Sequence, residues 1–215
     1  AEIGANHDQD KVQALEMIAL AAKAGADAVK FQSIRFDRLH DPKRESAELA
    51  QWFKAIELDE SWYGDLAGAA QAHGVDFLSS PTYLEAVPLL EAVGVPAYKI
   101  ASPQTQADPR IVGAAARTGK PLILSTGYCR TGDILRALDW ARAEGNESTA
   151  LLHCVSRYPA RPEETNLRFI PTLAALCGRP VGFSDHSPGT HLAVAAVALG
   201  ATIIEKHVTL DRSRP

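Results

Sequence analysis

Short apolar runs recur along the chain, and each is followed by a stretch whose apolar positions repeat at helical spacing. The pattern predicts strands at Ala1–Gly4, Ala28–Gln32, Asp76–Ser80, Ala97–Ala101, Leu122–Thr126, Ala150–Cys154, Val181–Ser184 and Thr202–Val208. Helices are predicted near 11–24, 59–73, 84–93, 108–118, 132–144, 167–177 and 190–199. In the first of them Val12, Leu15, Ile18 and Ala22 form the apolar stripe, with Lys11, Glu16 and Lys23 elsewhere on the cylinder. Gly25, Gly74, Gly94, Gly119, Gly145, Gly178 and Gly200 fall at or just after helix ends, where a left-handed residue is wanted. Asp10, Asp108 and Thr131 are placed as N-caps.

Strands alternating with helices imply a parallel sheet joined by crossovers. Eight strands favour a closed (β/α)8 TIM barrel over an open doubly wound sheet, and no GxGxxG follows the first strand. The seven helices leave the eighth to follow Val208. The longest loop, Ser33 to Leu58, carries Arg35, Asp37, Arg38, His40, Asp41 and Pro42 and is placed over the barrel mouth. The chain reads as a single barrel domain over 1–215, incomplete at both ends, because it opens without Met inside a strand-like segment and stops soon after the eighth strand.

Composition narrows the function classes. With 22 Lys+Arg against 26 Asp+Glu the net charge is −4, which suits neither nucleic acid nor an anionic membrane surface. No apolar run reaches the roughly 20 residues that span a bilayer. Three widely spaced cysteines, Cys129, Cys154 and Cys177, form no CxxC pair; their odd number suits a reducing compartment, and the expected location is cytoplasmic.

Polar residues gather at the C-terminal strand ends, the reactive face of a barrel. They include Asn6-His7, Lys30 and Gln32, Ser79-Ser80, Lys99 and Ser102, Ser125-Thr126-Gly127, His153 and Ser156, Ser184-Asp185-His186, and Glu205-Lys206-His207. By strand alternation Lys30 shares a face with Gln32 and Glu205 with His207, while Phe31 and Lys206 point the other way. A lysine inside an apolar strand needs an anion or acts as an amine. One reading of Lys30 and Lys99 is a buried ion pair with Glu2 or Glu205; the other is a site for a small phosphorylated carboxylate, with Ser102, Ser125, Ser156 and Ser184 as neutral donors. His186 and His207 end adjacent strands and are either a divalent-metal pair or hydrogen-bonded rim residues. His40, His73 and His191 are expected at the surface, and Trp52 and Trp62 in packing.

At these residues the sequence resembles the N-acetylneuraminate (sialic acid) synthase family, which includes spore coat polysaccharide protein E-like proteins and other nonulosonic acid synthases. The matching stretches are AEIGANH (1–7), GADAVKFQ (25–32), FLSSP (77–81), VPAYKIAS (95–102), GKPLILSTG (119–127), LLHCVSRYP (151–159), NLR (166–168), VGFSDHS (181–187) and ALGATIIEKHVTLDR (198–212). They run in family order over nearly the whole chain. The resemblance implies condensation of phosphoenolpyruvate with an N-acetylated amino sugar such as N-acetylmannosamine, with release of phosphate. A divalent cation, Mn2+ or Mg2+, is implied to polarise the open-chain aldehyde, with His186 and His207 as its ligands. Lys99, Ser125 and Ser184 would hold phosphate, and Lys30 would lie near the phosphoenolpyruvate carboxylate. Glu2, Gln32, Asp185 and Glu205 would line the sugar and water side, with Glu2 handling a proton. Asn6, Ser79, Ser102 and Gln104 join the expected substrate-binding set, as do Thr126, Gly127, Ser156 and Tyr158.

Two departures stand out. After KIAS the family continues Gly-Glu, whereas this chain has Pro103-Gln104, and Ser156 stands where some members carry an amide. The family's Gly-Pro-Asp-His run is expected beyond Pro215, as is a C-terminal antifreeze-like domain that reaches across a homodimer. Two other functions compete: a metal-independent Schiff-base aldolase using Lys99 or Lys30, and a non-catalytic sugar-binding relative suggested by Gln104.

Overall fold

The computed structural model describes residues 1–212, and its contacts divide the chain into two compact units. The first comprises residues 1–96 with the stretch from His207 onward; the second runs from Ala97 to Lys206.

In the first unit three parallel strands lie in chain order: β1 (Glu2–Gly4), β2 (Ala28–Ser33) and β3 (Asp76–Pro81). Helix α1 (Lys11–Lys23) connects β1 to β2. Asp10 caps it by accepting from the Val12 and Gln13 amides at 2.8 and 3.3 Å. Its buried face is Ala14, Met17, Ile18 and Ala21, an i, i+3, i+4, i+7 stripe, whereas Val12 is 74% exposed. The apolar stripe is therefore displaced from the one expected, since Met17 and two alanines suffice to pack against the sheet.

The segment expected to be a loop between Ser33 and Leu58 holds a helical turn, α2 (Phe36–Leu39), and a ten-residue helix, α3 (Ala47–Ile56). The Ser46 hydroxyl caps α3 by accepting from the Leu49 amide at 3.1 Å. Helix α3 buries no residue, and Trp52 on it is 58% exposed rather than packed. Helices α4 (Tyr63–Ala72) and α5 (Ala86–Ala92) flank β3. Ile3, Val29, Phe31, Ile18, Leu66 and Leu90 are fully buried, each contributing about 1.5–3 kcal/mol.

In the second unit five parallel strands again follow chain order: β4 (Tyr98–Ile100), β5 (Leu122–Ser125), β6 (Thr149–Cys154), β7 (Val181–Asp185) and β8 (Ile204–Lys206). The crossovers carry α6 (Ser102–Ala107), α7 (Pro109–Arg117), α8 (Thr131–Ala143), α9 (Phe169–Cys177) and α10 (His191–Ala198). Helix α6 was not expected; Pro103 in its first turn suits a helix start. Asp108 caps α7 as expected, but at α8 the cap position belongs to Arg130, whose amide donates to Asp133 Oδ2 at 2.8 Å, and Thr131 is the first helical residue. Tyr98, Ile100, Leu122, Leu124 and Leu151 are fully buried. Strand β7 passes so close to its neighbours that a Cβ at Gly182 would overlap the Ile203 carbonyl and stand 2.6 Å from Leu152 Cδ2.

All eight expected strands are present, β8 shorter than expected, and all seven glycines expected at helix ends adopt positive φ. Among the described residues no helix is long and apolar enough to cross a membrane.

Candidate active site

Strand parity builds a polar cluster in the first unit. Glu2 stands opposite Lys30 in the β1–β2 register. Lys30, 6% exposed, places Nζ 2.5 Å from Glu2 Oε2 and donates to Ser80 Oγ at 3.2 Å. Gln32, two residues along β2, donates from Nε2 to Glu2 Oε1 at 2.8 Å. A Cβ built on Gly4 would stand 3.2 Å from Glu2 Oε1, 3.5 Å from His207 Cε1 and 3.7 Å from Gln32 Nε2, so the His207 ring borders this cluster. Asn6 donates from Nδ2 to the Val208 carbonyl at 2.7 Å, which ties the β1 end to the backbone just after His207.

The second unit gathers a different set. Lys99, 3% exposed, donates to Ser125 Oγ at 2.9 Å, and its Nζ lies 3.6 Å from Glu205 Oε1. Ser184 donates to the same Glu205 oxygen at 2.7 Å. His186 Nδ1 lies 2.7 Å from the Val155 carbonyl, which can only accept, so Nδ1 carries a proton, and Nε2 lies 3.4 Å from Ser184 Oγ. The Tyr158 ring stacks on His186 with centroids 4.0 Å apart. Gly127 donates its amide to Ser102 Oγ at 2.9 Å. A Cβ there would overlap Ser156 Oγ and stand 3.1 Å from both Ser102 Oγ and Cys154 Sγ, so only glycine leaves this hydroxyl-lined approach open. Burial pushes the Cys154 thiol above its ordinary pKa despite the Lys99 ammonium nearby.

The model of the NeuB family matches residues 17–215. This chain belongs to the NeuB family. It is 40% identical, over its whole length, to the spore coat polysaccharide biosynthesis protein SpsE of Bacillus subtilis, covering 60% of that protein. It is 37% identical over 99% of its length to the N,N'-diacetyllegionaminic acid synthase of Campylobacter jejuni, covering 67% of it. The crystal structure of the N-acetylneuraminic acid (sialic acid) synthetase of Leptospira borgpetersenii, in complex with citrate, superposes with a TM-score of 0.91 at 36% identity. That match covers 99% of this chain and 73% of the other. The chain thus spans about three fifths of the length of the spore coat relative.

Within this NeuB-family chain both lysines have carboxylate partners, as the ion-pair reading expected, and both also meet a serine hydroxyl. Three expected site residues lie elsewhere. Ser79 sits on the opposite face of β3 from Ser80, where its Oγ meets Ser33 Oγ at 2.8 Å and Tyr63 donates to that same serine at 2.6 Å. Strand alternation is the reason, and Ser80 takes its place beside Lys30. Asp185 likewise points away from Ser184: it accepts from Ser187 Oγ at 2.6 Å and from Lys206 Nζ at 2.7 Å. The Thr126 hydroxyl donates to the Leu152 carbonyl at 3.0 Å and so fastens β5 to β6. Gln104 lies on α6 with its buried Oε1 lacking a hydrogen-bond partner. His73 and His191 are exposed as expected, but His40 is half-buried, stacked on Phe36.

The resemblance implies a divalent cation, and the donor chemistry of His186 fits one. A ligating imidazole typically bonds a carbonyl through its other nitrogen, as Nδ1 does here with Val155. That carbonyl, like the Cys154 thiol 3.8 Å from Nδ1, was not foreseen, since a backbone contact leaves no residue-type signal. A cavity of about 520 Å3 at the other end of β3, lined by Gly64, Gly68, Gln71, Asp76 and Val93, holds none of the expected site residues.

Proposed function

We propose that this chain carries the catalytic residues of a metal-dependent synthase that condenses phosphoenolpyruvate with an N-acetylated amino sugar, N-acetylmannosamine or a relative. The product is a nonulosonic acid, and phosphate is released. The observation that carries the reading is the Lys99 ammonium, buried at a strand end within reach of Ser125 and sharing Glu205 with Ser184. Such a cation with hydroxyl donors suits a phosphate dianion. Membership of a family whose relatives include named acid synthases supports the same chemistry.

In this reading Lys99, Ser125 and Ser184 hold the phosphate, and the Gly127 amide with the Ser102 and Ser156 hydroxyls lines its approach. Lys30 meets the carboxylate of the enol phosphate. Glu2, held by Lys30 and Gln32, handles the proton of the sugar or of the attacking water. C3 of phosphoenolpyruvate bonds to the aldehyde carbon, water adds at C2, and phosphate departs by C–O cleavage. The resemblance implies His186 and His207 as the residues that would hold a divalent cation, which would supply polarisation of the aldehyde oxygen. Asp185 and Thr126 position the strand ends. The eight parallel strands are read as those of a (β/α)8 barrel in a cytoplasmic homodimer, and the extra length of the relatives leaves room for an eighth helix and an antifreeze-like domain.

The test is incubation of the intact protein with phosphoenolpyruvate, N-acetylmannosamine and Mn2+. Phosphate and a 2-keto acid should appear one for one and stop on chelation; silence with every acylamino sugar tried overturns the reading. A second reading, a non-catalytic sugar-binding relative, is favoured by Gln104. It requires both the parent and Gln104→Glu to be inert.

A further inference from the structure

His153 belongs to neither polar cluster, yet it closes the loop that reaches one of them. Alternation along β6 turns Cys154 toward His186 and His153 the other way, where its ring lies between Phe169 and Phe183 at centroid distances of 5.7 and 5.9 Å. It is 7% exposed, and its Nε2 lies 2.6 Å from the Thr165 carbonyl, twelve residues on. A carbonyl only accepts, so Nε2 carries the proton. Burial holds the imidazole below its ordinary pKa, which keeps the neutral ring in place.

Between these two anchors the chain wraps around His186. The Val155 carbonyl takes His186 Nδ1 at 2.7 Å, the Tyr158 ring stacks on the imidazole, and the Ala160 amide donates to the His186 carbonyl at 3.0 Å. Arg157 and Arg161 both bind Glu164 at 2.7 Å, and the Thr165 hydroxyl donates to the Pro162 carbonyl at 2.8 Å, so the far end of the loop is tied together by its own side chains. We propose that His153 is a positioning residue: its hydrogen bond to Thr165 closes the 155–165 loop onto β6 and thereby sets where Tyr158 and the Val155 carbonyl meet the His186 imidazole. Its effect on turnover rests on the condensation reading; its effect on the loop does not.

Two variants of the intact protein separate the hydrogen bond from the packing. His153→Gln keeps an N–H at the Nε2 position and loses the ring, whereas His153→Phe keeps the ring and loses the N–H. Amide exchange of 155–165, measured without substrates, should rise about tenfold in His153→Phe and stay within about threefold of the parent in His153→Gln. Phosphate release should fall in the same order. Equal exchange in both variants, or better protection in His153→Phe, overturns the proposal and leaves His153 a packing residue. If the parent releases no phosphate with any sugar, the condensation reading fails while the exchange comparison still decides the role of His153.

Discussion

Lys30 and Lys99 occupy comparable places, each buried in a parallel strand and each beside a glutamate and a serine, yet they are held differently. Lys30 sits 2.5 Å from Glu2, whose other oxygen is taken by Gln32, so acid, amide and amine form a closed and nearly neutral set. Lys99 stands 3.6 Å from Glu205, and Ser184 donates to the same carboxylate oxygen that faces it. An ammonium clamped by a carboxylate has most of its field offset, whereas one at longer range beside hydroxyls retains field for an incoming anion. The contrast teaches that a buried lysine's role is set by how tightly its carboxylate partner binds it. By that criterion Lys99 is the cation proposed for the phosphate, and Lys30, proposed for the carboxylate, is the one held more tightly by its glutamate.

The largest expected effect breaks the tighter pair. Glu2→Ala strands a buried ammonium and should cost about 3–5 kcal/mol by denaturant unfolding. Glu205→Ala, at the looser and more exposed pair, should cost at most half as much; equal losses would erase the distinction. Next, Lys99→Met should reduce kcat by about 10²–10³ with the folded state retained, the scale of removing one preorganised donor to a developing charge. Gly127→Ala should weaken phosphoenolpyruvate binding by about 1–3 kcal/mol in calorimetry, because the new methyl overlaps Ser156 Oγ.

The strands were legible because buried apolar runs such as Leu122–Ser125 and Val181–Asp185 leave little choice of period. What escaped has physical reasons. Helix α3 buries no side chain, yet Leu49, Phe53 and Ile56 recur at helical spacing behind the Ser46 cap, so its signal was present and the charged residues before it masked it. Half of the buried face of α1 is alanine, Ala14 and Ala21, which carries little contrast against Val12 and Leu15. Within the site, parity alone would have preferred Ser80 to Ser79 and turned Asp185 away from Ser184, since Lys30 and Glu205 fix the inward phase on neighbouring strands. The Val155 and Thr165 carbonyls that hold His186 and His153 belong to the backbone, where residue identity carries no information.

The smallest expected effect concerns two buried histidines, one in each unit. His7 lies beside Phe31 and edge-on to Trp62, and His153 beside Phe183 and Phe169; burial holds both below the ordinary 6.5. The unfolded chain therefore binds protons at higher pH than the folded one. Stability is full above about pH 6.5 and falls as pH drops toward the folded pKa values. A Tm series from about pH 5 to 7.5 should slope downward on acidification, and His7→Phe should flatten it.

The most direct measurement is the coupling of phosphate release to carbon–carbon bond formation in the intact protein, parent against Lys99→Met, with and without chelator. Equal amounts of phosphate and 2-keto acid from the parent, lost both on chelation and in Lys99→Met, are the predicted result. Turnover that survives chelation and leaves a borohydride-trapped pyruvate on Lys99 or Lys30 would contradict it.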